Sequence, residues 1–155
     1  LALALAACGG DGDAAGVDPA ASPDVPAIAA APVAPAPSGP LTQGDVVTPG
    51  KKTPAGVKAA LGKRPVVLAF VYGRSRDEQA VRAAVGKVRA SSTGTGVAFF
   101  VYDVSKRGGF GDLTTRVAVT ETPAVVVIGA DGRVANLWTG LVDAEMLTQS
   151  VAAAK

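Results

Sequence analysis

The stretch that decides the fold is "TETPAVVVIGADGRVANLWTG", residues 120–140. An apolar run follows Pro123, and the Asp-Gly pair at 131–132 is a strong signal for a tight turn between two antiparallel strands. Gly140 closes the second apolar run. Asp143 then predicts the cap of a last helix, because a carboxylate at that position accepts a hydrogen bond from the first helical turn.

Toward the N-terminus, "PVVLAFVY" (65–72) is apolar at almost every position, which predicts a central strand covered on both faces. "GVAFFVYDV" (96–104) predicts a second strand. Between them, residues 75–89 carry valines and alanines at helical spacing. A short helix is predicted at 112–117. A first helix is predicted in "TPAGVKAALG" (53–62), with Thr at its N-cap, Pro at its first position and Gly past its end.

The segment before these elements has a different composition. Residues 8–50 are mainly Gly, Ala, Pro, Asp and Ser, with too few large apolar side chains to offset the entropy of ordering. We expect a disordered tether over residues 8–50 and a globular domain over residues 53–155. About 100 residues suffice for a single hydrophobic core.

The first residues, "LALALAACGG" (1–10), begin with seven apolar side chains. Residues 1–7 are typical of the tail of a secretory signal segment. "LAAC" (5–8) resembles the lipobox of bacterial lipoproteins, and this resemblance implies a lipid on Cys8 and a place on the extracytoplasmic face of the cell membrane. The alternative is a signal segment without lipidation, in which Cys8 is incidental.

Composition excludes several functions. The net charge is +2, without the dense basic face of a nucleic-acid binder, so we expect no nucleic-acid partner. The chain has no His and one Cys. Imidazole catalysis and an intramolecular disulfide are therefore excluded, and we expect neither a metal nor a cofactor.

The order of the predicted elements resembles the thioredoxin fold. Three stretches carry the resemblance: "PVVLAFVYGRSRDEQAV" (65–81), "VTETPAVVVIGADGRV" (119–134) and "WTGLVDAEMLTQSV" (138–151). It implies an α/β domain with a central mixed sheet of about four strands flanked by helices. It also implies a cis bond between Thr122 and Pro123, with the backbone of Thr122 binding extended peptide. The alternative is an ordinary trans proline that starts a strand.

In that family the redox pair Cys-x-x-Cys opens the helix after the first central strand. The matching window here is Ser75-Arg76-Asp77-Glu78, and the predicted domain contains no Cys. Thiol–disulfide exchange needs a thiolate, so the sequence predicts a domain without it. Ser-x-x-Glu instead predicts a capping box. A nucleophilic Ser75 would need a base, and the spacing indicates none.

The resemblance implies a binding groove for a protein or peptide of the cell envelope. Its candidate residues are Arg74, Ser75, Arg76, Thr122 and Pro123. Four basic residues of the adjacent loops form either a basic rim for an acidic partner or simply solvated loop charges: Arg74, Arg76, Lys106 and Arg107. Two other functions stay open: a component of an envelope thiol–disulfide oxidoreductase system, and a structural envelope protein.

Overall fold

The computed structural model describes residues 41–106 and 108–155. Four predictions lie outside the described residues: the signal segment at 1–7, lipidation of Cys8, the part of the tether up to residue 40, and the place of Arg107 in the basic rim.

Within the described residues, four strands form a sheet in the order β2-β1-β3-β4. Strand β1 is parallel to β2 and antiparallel to β3, and β3 is antiparallel to β4. This confirms the predicted α/β architecture with a mixed sheet flanked by helices. The elements are α1 (Ala55–Ala60), β1 (Val66–Val71), α2 (Arg76–Ala90), β2 (Ala98–Asp103), α3 (Leu113–Arg116), β3 (Ala124–Ile128), β4 (Val134–Thr139) and α4 (Ala144–Ala153), with a short 3-10 turn at Ser92–Gly94.

Strand β1 lies at the centre of the fold, and all six of its residues are buried. Successive side chains point to opposite faces of the sheet, so β1 serves two cores. Leu68 and Phe70 pack in the core that contains residues of α1 and α3, and Val67 and Ala69 pack in the core that contains residues of α2 and α4. The continuous apolar pattern of residues 65–72 is thereby explained.

The β3–β4 hairpin turns at the predicted Asp-Gly pair. Gly132 has φ +79°, a conformation that favours glycine. The Asp131 carboxylate accepts a hydrogen bond from the Arg133 N–H at 3.0 Å, and the Gly132 N–H donates to the Gly129 carbonyl at 3.0 Å.

The folded domain extends further toward the N-terminus than residue 53. Residues 41–50, predicted to be part of the tether, pack on the hairpin. The Val47 N–H donates to the Gly132 carbonyl at 2.9 Å, and the Val134 N–H donates to the Asp45 carbonyl at 2.8 Å. The Val47 side chain is buried in the core. The burial of the Val47 side chain and the backbone hydrogen bonds to the hairpin offset the conformational entropy that residues 41–50 lose on ordering.

The first helix also begins differently from the prediction. It starts at Ala55, and no side chain among the described residues caps it. Thr53, the predicted N-cap, is buried and donates its hydroxyl to the Asp112 carboxylate at 2.6 Å, while accepting from the Gly50 N–H at 2.8 Å. A charged acceptor forms a stronger hydrogen bond than a neutral one, so the Thr53 hydroxyl bonds the distant Asp112 carboxylate rather than the helix backbone.

Among the described helices, none is long and apolar enough to cross a bilayer.

Candidate functional site

One edge of the sheet gathers the segments that carry the predicted site residues. Val71 at the end of β1 lies opposite Asp103 at the end of β2. Ala124 at the start of β3 lies opposite both Phe70 and Thr139 at the end of β4. The loops that follow β1, β2 and β4, and the loop that precedes β3, therefore all leave from the same edge, which we call the loop edge.

The Thr122–Pro123 peptide bond is cis, as the sequence resemblance predicts. Pro123 is buried and Thr122 is half-buried at the loop edge. The Pro123 carbonyl accepts from the Gly140 N–H at 2.7 Å, and Gly140 adopts φ +90°. Within residues 41–106 and 108–155, the backbone groups of Thr122 have no hydrogen-bond partner. They are therefore free to pair with an incoming backbone.

Helix α2 begins at the same edge with Ser75 as its N-cap. The Ser75 hydroxyl accepts from the Glu78 N–H at 3.3 Å, which confirms one half of the predicted capping box. The other half is wrong, since the Glu78 carboxylate accepts from the Tyr72 N–H rather than from the Ser75 N–H. Glu78 is only 3% exposed, and its carboxylate joins the end of β1 to the start of α2 across the intervening loop.

A second polar contact lies beside Glu78. Arg82, one helical turn further on, places its guanidinium 3.4 Å from the Asp103 carboxylate. Within the described residues, Glu78 Oε2 and Arg82 Nε are both buried and have no hydrogen-bond partner. Arg82 was not among the predicted site residues, because a helical Arg is expected to be a surface charge unless its distant partner is known.

Asp103 joins two loops of this edge. Its carboxylate accepts from the Ser105 hydroxyl, the Ser105 N–H and the Gly73 N–H. These hydrogen bonds, the Ser105 hydroxyl foremost, lower the pKa of Asp103 below its ordinary value, and the Arg82 charge lowers it further. The Asp103 carboxylate therefore connects the loop that follows β1 to the loop that follows β2, and its ionised form is favoured.

The loop edge carries exposed positive charge and exposed apolar surface. Arg74, Arg76 and Lys106 are exposed, and none of the three forms an ion pair within the described part of the chain. Tyr72 and Leu141 are 62% and 60% exposed and follow β1 and β4 at this edge. Leu141 was missed, since one Leu after a strand end carries no signal of its own.

The hydroxyl at the start of α2 is engaged in local hydrogen bonding. The Ser75 hydroxyl contacts the Glu78 backbone, and the chain contains no His to act as its base. The described residues contain no group of three acidic, Cys or His side chains placed to hold a metal ion. Within the described residues, the loop edge exposes unpaired backbone, positive charge and apolar surface.

No protein-family model matches this chain, and no curated protein matches it. Similar solved structures include a putative thiol:disulfide interchange protein DsbE from Chlorobium tepidum, at 17% identity and TM-score 0.56, covering 74% of this chain and 98% of that one. Another is dsbF from MTB, at 25% identity and TM-score 0.51, covering 63% and 85%. A third is a thioredoxin from Malassezia sympodialis, at 18% identity and TM-score 0.52, covering 63% and 82%. The fold of this chain is thioredoxin-like.

Proposed function

We propose that this protein is a membrane-anchored, redox-inactive thioredoxin-like module that binds a protein or peptide segment in the bacterial cell envelope. One observation carries the proposal: the Thr122–Pro123 turn lies at the same loop edge as the start of α2, and the Thr122 backbone is unpaired in the described structure. An extended segment can satisfy such groups by pairing its own backbone with them.

The absence of redox chemistry is proposed from the residues at the start of α2. Ser75 and Glu78 stand where the related fold carries its two cysteines, and Cys8 is the single Cys of the chain. Neither a hydroxyl nor a carboxylate can attack a disulfide in the way a thiolate does. Both side chains instead bond backbone N–H groups of the β1–α2 junction.

The chemistry of the edge indicates the kind of segment it fits. Arg74, Arg76 and Lys106 would attract acidic side chains, and Tyr72 and Leu141 offer apolar contact. We therefore expect an extended segment in which acidic residues neighbour an apolar one. Arginine also forms bidentate hydrogen bonds with carboxylates, which favours acidic segments over neutral ones.

The test is capture of partners from bacterial membrane extracts by the full chain. The double variant Arg74→Glu/Arg76→Glu should reduce capture about tenfold, because it reverses two charges at the loop edge. The matched control is Lys63→Glu/Arg64→Glu, which makes the same charge change at exposed positions before β1, at the opposite edge. Equal capture by the two variants would refute the basic rim.

Membrane attachment through Cys8 is tested separately. The Cys8→Ser variant, expressed with a complete signal segment, should move from the membrane fraction to the soluble fraction. Mass spectrometry of the unaltered protein should show a diacylglycerol-modified N-terminal peptide. An unmodified Cys8 in a protein recovered from the soluble fraction would refute the lipid anchor. It would not affect the proposed binding at the loop edge.

The second candidate function is membership of an envelope thiol–disulfide oxidoreductase system, which the likeness to DsbE and dsbF favours. Insulin reduction by the purified chain with dithiothreitol discriminates between the two. We expect turnover no faster than the uncatalysed background. The variant Ser75→Cys/Glu78→Cys is the control, and a gain of turnover in it alone would show that the fold lacks only its sulfur pair.

A further inference from the structure

Strand β2 is the outer strand of the sheet in the described structure, with β1 on one side of it. The Ala98 N–H donates to the Pro65 carbonyl at 2.9 Å, and the Val104 N–H donates to the Val71 carbonyl at 2.8 Å. Backbone groups alternate sides along a strand. The backbone N–H and C=O groups of three residues in β2 therefore point away from β1: Phe99, Val101 and Asp103.

This outward edge is open. Within residues 41–106 and 108–155, the Asp103 carbonyl accepts from the Lys106 N–H at 3.0 Å, and the other outward backbone groups have no backbone partner. The Val101 side chain is 40% exposed. Exposed edge strands usually carry a Lys, a Pro or a bulge that blocks pairing. The sequence of β2, AFFVYD, has neither residue, and its register against β1 is continuous.

The pattern of free groups at this edge is self-complementary. In an antiparallel pairing of two copies centred on Val101, this residue faces itself and exchanges two hydrogen bonds with its copy. The Asp103 N–H of each copy then faces the Phe99 carbonyl of the other, which adds two more. These four bonds use groups that are free in the described structure, and a two-fold axis through Val101 satisfies both copies equally.

We propose that the outward edge of β2 is a homodimer interface, in which a second copy of this chain pairs antiparallel about Val101 and extends the sheet to eight strands. The N-terminal segment of the same chain is the less suitable occupant. It has seven prolines between residues 19 and 40, and proline cannot donate to a strand ladder. The dimer is weak, because an edge pairing buries less than the roughly 1,200 Å² of a stable interface.

Sedimentation equilibrium of the full 155-residue chain tests the proposal, in a Cys8→Ser background that prevents disulfide-linked dimers. We expect a monomer–dimer equilibrium with a dissociation constant of about 10–300 µM. Val101→Lys should weaken it at least about tenfold, since two like charges would meet at the axis. The matched control is Val46→Lys, an exposed Val at the β4 side of the domain, which should leave the equilibrium unchanged.

A charge-swap experiment tests the register itself. Val101→Lys and Val101→Glu should each be monomeric and should associate when mixed in equal amounts, because position 101 faces itself only in the proposed pairing. Circular dichroism establishes that both variants are folded. A monomer at all concentrations, a dimer that survives Val101→Lys, or a mixture that stays monomeric would each overturn the proposal. Binding of an extended peptide at this edge by a monomeric protein would overturn it as well.

Discussion

Helices α2 and α4 begin alike and differ in what their first turns do. The Ser75 hydroxyl accepts from the Glu78 N–H at 3.3 Å, and the Asp143 carboxylate accepts from the Met146 N–H at 2.8 Å. Each cap thus serves the third helical residue. Charged side chains are usually exposed and large apolar ones buried, and the residues at this position do the opposite: Glu78 is 3% exposed and Met146 is 44% exposed.

The difference shows that the start of α2 does more than cap a helix. A cap needs one acceptor, which Ser75 supplies, so the buried Glu78 carboxylate is surplus to helix formation. Its hydrogen bond with the Tyr72 N–H joins the end of β1 to the start of α2 at the loop edge. Burial of a carboxylate costs free energy unless it gains such bonds. The α4 start lacks a buried acid and presents apolar surface instead.

The largest effect is expected from removing the buried acid. Glu78→Ala should lower the free energy of unfolding by about 2 kcal/mol, since the Tyr72 N–H loses its acceptor and a cavity forms. Glu145→Ala removes the exposed acid in the first turn of α4 and should change it by less than about 0.5 kcal/mol. Urea denaturation measures both. Equal effects would mean that Glu78 acts only through the helix dipole.

A smaller effect is expected from removing the two caps. Asp143→Ala should cost about 1 kcal/mol and Ser75→Ala about 0.5 kcal/mol, because the Asp143 bond is charged and shorter. Urea denaturation in low salt resolves this difference. A larger loss for Ser75→Ala than for Asp143→Ala would show that Ser75 supports the loop edge beyond its cap.

The smallest effect is a pH dependence at the loop after β2. Hydrogen bonds from Ser105 lower the folded-state pKa of Asp103, so its contribution to stability is complete above the unfolded-state value and disappears as the pH falls through the folded-state value. Asp103→Asn should flatten the acid side of the stability profile. Glu121→Gln, which replaces an exposed acid at the same edge, is the control variant, and a profile for Asp103→Asn as steep as that of the unaltered protein would contradict the prediction.

Much of the fold follows from short-range patterns. The continuous burial of β1, the Asp-Gly turn, and the helices capped by Ser75 and Asp143 all agree with the sequence-based predictions. The cis bond before Pro123 followed from the resemblance to a family, since Thr-Pro itself favours trans.

The remaining features depend on partners far away in the sequence. The Thr53 hydroxyl donates to the Asp112 carboxylate, 59 residues further on, instead of capping α1. Arg82 pairs with Asp103, 21 residues further on. The local pattern assigned Thr53 to a helix cap and indicated no role for Arg82. Val47 was assigned to the tether because residues 8–50 are mainly Gly, Ala, Pro, Asp and Ser, although its side chain is buried in the core beside the hairpin.

Site-specific photocrosslinking tests the central claim most directly. A benzoylphenylalanine at Tyr72, exposed at the loop edge, is compared in intact cells with one at Val46, which is exposed beside the hairpin turn at the other end of the sheet. We predict a discrete crosslinked partner from position 72, diminished by Arg74→Glu/Arg76→Glu, and none from position 46. Equal crosslinking from both positions, or none from position 72, would contradict the account.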